Sequence, residues 1–80
     1  MQHHYANSFV IYRHDAERNM ARFYALALEP TLFGDVALVR QWGRIGTRGR
    51  QKIELFAELT AAEAALAALR DTKLRRGYRH

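Results

Sequence analysis

Residues 41–50 read Gln-Trp-Gly-Arg-Ile-Gly-Thr-Arg-Gly-Arg. They hold the only tryptophan (Trp42), three of the five glycines (Gly43, Gly46, Gly49) and three arginines (Arg44, Arg48, Arg50), with no acid among them. Tryptophan offers a flat apolar face, arginine a planar cation that matches phosphate oxygens, and glycine a backbone able to turn tightly or approach a ligand closely. The chemistry these residue types support together is the binding of a polyanion. Arg40 and Lys52, just outside the stretch, are further candidates for phosphate contacts.

Catalysis is a poor fit. The chain has no cysteine and a single serine, Ser8, and its four histidines (His3, His4, His14, His80) follow no metal-box or nucleophile-triad spacing. The carboxylates are dispersed and lie mostly beside arginines. The expectation is therefore a non-enzymatic protein with no cofactor and no bound metal.

Net charge is +5 in 80 residues, and its distribution says more than its sum. Up to Val39 the bases Arg13, Arg18 and Arg22 are outnumbered by Asp15, Glu17, Glu29 and Asp35. From Arg40 onward ten bases face only Glu54, Glu58, Glu63 and Asp71. A chain polarised in this way is expected to present a basic face to nucleic acid or another anionic partner. An apolar content of 49% with 26% charged residues predicts a folded globule of one small domain, residues 1–80, with residues 1–7 as a loose tail. No apolar run has the length of a membrane span and the amino terminus shows no signal-peptide pattern, so a cytoplasmic location is the default expectation.

The elements that must position the Trp-Arg stretch follow from the spacing of apolar residues. Residues 8–13 are dense in β-branched and aromatic side chains. Residues 20–28 alternate, with Arg22, Tyr24, Leu26 and Leu28 on one side and Ala21, Phe23, Ala25 and Ala27 on the other. Pro30, Gly34 and Asp35 bracket a loop. Residues 36–44 then form a strand, apolar at its start, that projects Arg40, Trp42 and Arg44 in a row from one face. A turn at 46–49 leads to a last strand, 50–56. The pair Thr60 and Glu63 has the spacing of a capping box and predicts a helix over about 61–76, with Leu59, Ala62, Leu66 and Leu69 as its core stripe and Gly77 as its stop. The fold class is α+β: a small four-stranded antiparallel sheet with one C-terminal helix packed against it.

Trp42, Gly43 and Arg44, followed by Ile45 and Gly46, resemble the signature of the WGR domain. That small module occurs in DNA-damage-responsive poly(ADP-ribose) polymerases and, alone or fused, in bacteria. The likeness extends to the strand at 9–12, the polar turn at 14–19, the strand carrying Phe23 and Tyr24, and the closing Lys73, Gly77 and Tyr78. It covers roughly residues 8–79. The resemblance implies that Trp42 stacks on the terminal sugar or base of a DNA end and that Arg44 touches nucleic acid.

Trp42 alone also fits a core position, since one tryptophan buries a large area in a small domain. Arg44 equally fits a structural ion pair with Asp71 or Glu54. Arg48, Gly49 and Arg50 resemble the Arg-Gly-Arg cores that enter minor grooves, without the proline that usually follows. The expected site is Arg40, Trp42, Gly43, Arg44, Arg48, Arg50 and Lys52. The expected ligand is double-stranded DNA at ends or nicks, bound without sequence specificity, with RNA also open. The alternative is a non-catalytic adaptor that docks a protein on the same Trp-Arg edge, because Trp and Arg also dominate protein hot spots. Oligomeric state is open at this level.

Overall fold

The computed structural model describes residues 8–80; the expected tail at 1–7, with His3 and His4, lies outside the described residues. Strands β1 (Ser8–Asp15), β2 (Met20–Pro30), β3 (Val36–Arg44) and β4 (Arg50–Phe56) precede helix α1 (Leu59–Arg75). The strands form one antiparallel sheet in the order β1-β2-β3-β4, each paired with its neighbour in sequence.

Alternation decides which side chains meet the helix. Ile11, Tyr24, Leu26, Leu28, Val36 and Leu38 are buried on one face of the sheet, and Ala62 and Leu66 of α1 close over them. Leu59 and Leu69 pack at the margins, so the predicted stripe is the one that faces the sheet. Ala62 is fully buried because only a small side chain lets the helix axis come this near. Each buried Leu or Ile contributes about 1.5–3 kcal/mol relative to exposure, so this thin layer carries the fold.

The helix starts earlier than its capping box predicts. Glu58 is the N-cap, without a side-chain cap bond, and Thr60 lies inside the first turn. Packing of Leu59 against the core accounts for the shift, since Leu59 must already be helical to join the stripe. The other end follows expectation: Gly77 adopts φ +102° and turns the chain, so that Tyr78 is buried beneath the helix. Arg79 then exchanges two backbone hydrogen bonds of 2.7 Å with Tyr12, tying the end of α1 to the outer edge of β1.

Candidate nucleic-acid interface

Register fixes the site. Trp42 on β3 lies between Tyr24 of β2 and Arg50 of β4, and the adjacent row runs Leu26, Arg40, Lys52. On the other side of Trp42, Arg44 pairs with Arg22. All of these share the face on which the helix lies, because paired residues in an antiparallel ladder project together. Arg40, Trp42, Arg44, Arg50 and Lys52 are thus brought onto one surface, at the end of the sheet beyond the Leu-rich core.

Trp42 is half-buried, and both sequence readings of it hold in part. Its ring packs against the core and tilts on Tyr24, with centroids 6.1 Å apart and planes at 34°. The Arg40 guanidinium lies 5.9 Å from the indole centroid and reaches Glu54 at 3.4 Å, although its Nε is buried without a hydrogen-bond partner. Leaving such a donor unpaired costs about 1–3 kcal/mol. The arrangement spends stability to hold a cation against the tryptophan.

Lys73 completes the cluster from α1. Its Nζ sits 4.6 Å from the Tyr24 ring and 5.7 Å from the Tyr78 ring, a cation–π arrangement that fixes the ammonium beside Trp42's neighbour. Burial pushes its pKa below the usual lysine value, and the positive charges of Arg76, Arg40 and Arg22 push the same way. A lysine crowded by three arginines marks a surface short of anions. The site expected from the sequence contains neither Lys73 nor Arg22, Arg76 and Tyr24. The available signal was that Arg22 and Tyr24 are in phase on β2, but only the β2–β3 register shows that this phase leads to Trp42.

Arg44 does not pair with Asp71 or Glu54. Its guanidinium donates to the Asn19 backbone carbonyl at 3.1 Å and, more weakly, to Asn19 Oδ1 at 3.5 Å, holding the β1–β2 turn where Asn19 takes φ +51°. Asp71 instead pairs with Arg70 and Glu54 with Arg40. The turn after β3 is compact for a reason written in its glycines. A Cβ on Gly43 would come within 2.7 Å of Gly49 Cα, and one on Gly49 would collide with the Trp42 carbonyl. Gly43 therefore faces away from the Trp-Arg surface and serves the turn. Arg48 sits in that turn, where its carbonyl accepts a 2.6 Å bond from Gln41 Nε2 and its side chain is exposed.

The surface is open, with Arg44, Arg48, Arg50 and Lys52 exposed along it. A hollow of about 560 Å³ between β1 and α1, lined by Phe9, Leu66, Leu74 and His80 among others, contains none of these residues. Among the described residues no three His, Asp or Glu side chains gather to hold a metal ion, and no helix is long and apolar enough to cross a membrane.

The model of the WGR domain matches residues 7–80. The chain belongs to the WGR family. Members of this family are generally non-catalytic, nucleic-acid-binding modules of proteins like the poly(ADP-ribose) polymerases. The WGR chain is similar to the uncharacterized protein y4dW of Sinorhizobium fredii, 48% identical over 67 residues, which cover 84% of this chain and 33% of that protein. It thus spans about a third of that relative's length. No solved structure matches the chain.

Proposed function

We propose that this WGR domain binds double-stranded DNA at ends or nicks, without reading sequence. The observation that supports it most is the gathering of Arg22, Arg40, Arg44, Arg50, Lys52 and Lys73 around one half-buried, half-open indole, on a surface where Glu54 is already engaged by Arg40. Cations hold phosphates and set orientation, while an aromatic face accepts any base or sugar. An end or nick is the natural substrate for a lone aromatic, because only there is a sugar or base face free of its stacking partner. Arg48 and Arg50 extend the cationic rim toward the flanking backbone.

The test is fluorescence anisotropy of a labelled short duplex, once with an open end and once with both ends closed by hairpins. Wild type is expected to favour the open end. Trp42→Ala is expected to lose about 1–3 kcal/mol of binding to it, the usual worth of one stacked base. Because Trp42 also packs on the core, thermal melting of the variant must show a folded protein. Equal binding to open and capped duplexes, unaffected by Trp42→Ala, would remove the end-binding reading and bring the protein-adaptor reading forward.

A further inference from the structure

The sheet has two edges, and the chain treats them differently. On the β1 side, Arg79 exchanges backbone hydrogen bonds with Tyr12 and closes part of the edge. On the β4 side the sheet order ends, and nothing among the described residues pairs with the strand. Hydrogen bonds at the two ends of the β2–β3 ladder fix which groups of β4 are left over. The Thr31 N–H donates to the Asp35 carbonyl and the Ile45 N–H to the Ala21 carbonyl, both in the register of that ladder. Bonded and non-bonded pairs alternate in an antiparallel ladder, so Val39 and Gln41 bond toward β2 while Leu38 and Arg40 bond toward β4. Their partners Glu54 and Lys52 thus have their backbone groups engaged with β3. Gln51, Ile53 and Leu55 keep their N–H and C=O groups for the free edge, and all three are exposed, with side chains on the outer face opposite the helix. Such an edge is a template for another strand.

The charges of β4 select the strand that fits. A twofold axis through Ile53, perpendicular to the sheet, sets Gln51 against Leu55, Lys52 against Glu54 and Ile53 against Ile53 of a second copy. The residues that point outward then form the bonded pairs, each exchanging two backbone hydrogen bonds, about six in all. Lys52 and Glu54 fall in the non-bonded pairs, where Cα atoms approach to about 4.5 Å and opposite charges attract. Glu54 meets Arg40 through one oxygen and its side chain is 41% exposed, so the other oxygen is left to accept from the lysine. The neighbouring registers with the same hydrogen-bond phase set Lys52 against Lys52 or Glu54 against Glu54, which repel. Helix α1 leaves room for the pairing. It packs over β2, β3 and β4, and with its axis above β3 the two helices stand about 14 Å apart across the seam, wider than the ~8–10 Å of packed helices.

We infer that the free β4 edge pairs two copies of the chain into one continuous antiparallel sheet, with both helices and both Trp42 surfaces on the same face. Sedimentation equilibrium of the full chain, from about 5 µM to about 500 µM to span what a narrow interface reaches, tests it. Wild type is expected to shift from 9.3 kDa toward twice that mass as concentration rises. Ile53→Pro removes an N–H that bonds nothing within one copy, the one kind of strand position where proline is tolerated, and is expected to stay at monomer mass. Lys52→Glu alone and Glu54→Lys alone set like charges across the seam, so each is expected to be monomeric. Mixed together, the two charge variants restore both ion pairs and are expected to associate as wild type does. Far-UV circular dichroism checks that each variant is folded, and the charge variants decide the matter should Ile53→Pro unfold. Wild type at monomer mass at every concentration overturns the inference, as does a dimer that survives in folded Ile53→Pro. Folded charge variants that stay monomeric when mixed overturn it as well, because the register then has no ion pair. No measurement here includes DNA, so the outcome is independent of the DNA-binding proposal.

Discussion

The two faces of this sheet are built from the same strands yet differ in kind. Toward the helix, alternate residues supply the core and then, along the same strands, the cations and aromatics of the Trp42 surface. Away from it, the intervening residues are mostly uncharged: Val10 and Tyr12 on β1, Phe23, Ala25 and Ala27 on β2, Ile53 and Leu55 on β4. The lesson is that a strand's two-residue period lets one short sequence carry two unrelated surfaces. Arg40 and Trp42 interleave with Val39 and Gln41, and Arg50 and Lys52 with Gln51 and Ile53. Substituting neighbours on one strand therefore separates the two surfaces cleanly.

The largest effect expected is on stability. Leu38, on β3 between Leu28 of β2 and Glu54 of β4, is completely buried, so Leu38→Ala removes apolar contacts and leaves a cavity, costing about 2–5 kcal/mol. Ile53 on the outer face is more than half exposed, and Ile53→Ala in dilute solution should cost less than about 1 kcal/mol. Urea unfolding with an unchanged slope measures both. Similar losses for both would mean that the two faces are not distinct.

A smaller effect separates the faces electrostatically. Arg50 lies across from Trp42, while its neighbour Gln51 lies across from Gln41 on the outer face. Each phosphate neutralised adds about 0.9 to the slope of log affinity against log salt. Arg50→Ala should lower that slope by about one contact, and Gln51→Ala should leave it unchanged. A shared loss would show that the outer face also meets the nucleic acid.

Much of this was legible in the sequence, for a local reason. Alternation in 20–28 and 36–44 gave the strands, and the three-and-four spacing of Leu59, Ala62, Leu66 and Leu69 gave the helix face. What the sequence hid depends on register. The partner of Arg44 is Asn19, in the turn before β2, and nothing near Arg44 announces it. Trp42 is half core because Tyr24 lies beside it, and Lys73 is crowded because β2 and β3 bring Arg22 and Arg40 beneath α1. The choice of which face the helix covers was hidden as well, since Phe23, Ala25 and Ala27 are as apolar as Leu26 and Leu28. The capping box misled because propensity at Thr60 competes with the burial of Leu59, and burial prevails.

The smallest effect expected is also the most specific to the cluster beside Trp42. Burial and the charges of Arg76, Arg40 and Arg22 disfavour protonated Lys73, so its folded-state pKa lies below the ordinary value of 10.5. Between those two values the unfolded chain binds more protons than the folded one, and stability rises with pH across that window. The penalty is fully present below the folded pKa. Lys73→Met keeps an apolar stem against Tyr24 and Tyr78 and removes the charge. At neutral pH it should leave the melting temperature unchanged or slightly raised, and the gap to wild type should close as pH approaches 10.5. A phosphate nearby favours the protonated amine, so wild-type DNA affinity should fall through the same alkaline window. The variant should bind a few-fold less tightly at neutral pH and lose that pH dependence. Melting curves and anisotropy at neutral and alkaline pH measure both trends. A clear drop in melting temperature at neutral pH would mean that the two tyrosine rings stabilise the ammonium more than burial and the arginines oppose it, and the cluster would then be a structural cation–π support instead of a surface poised for an anion.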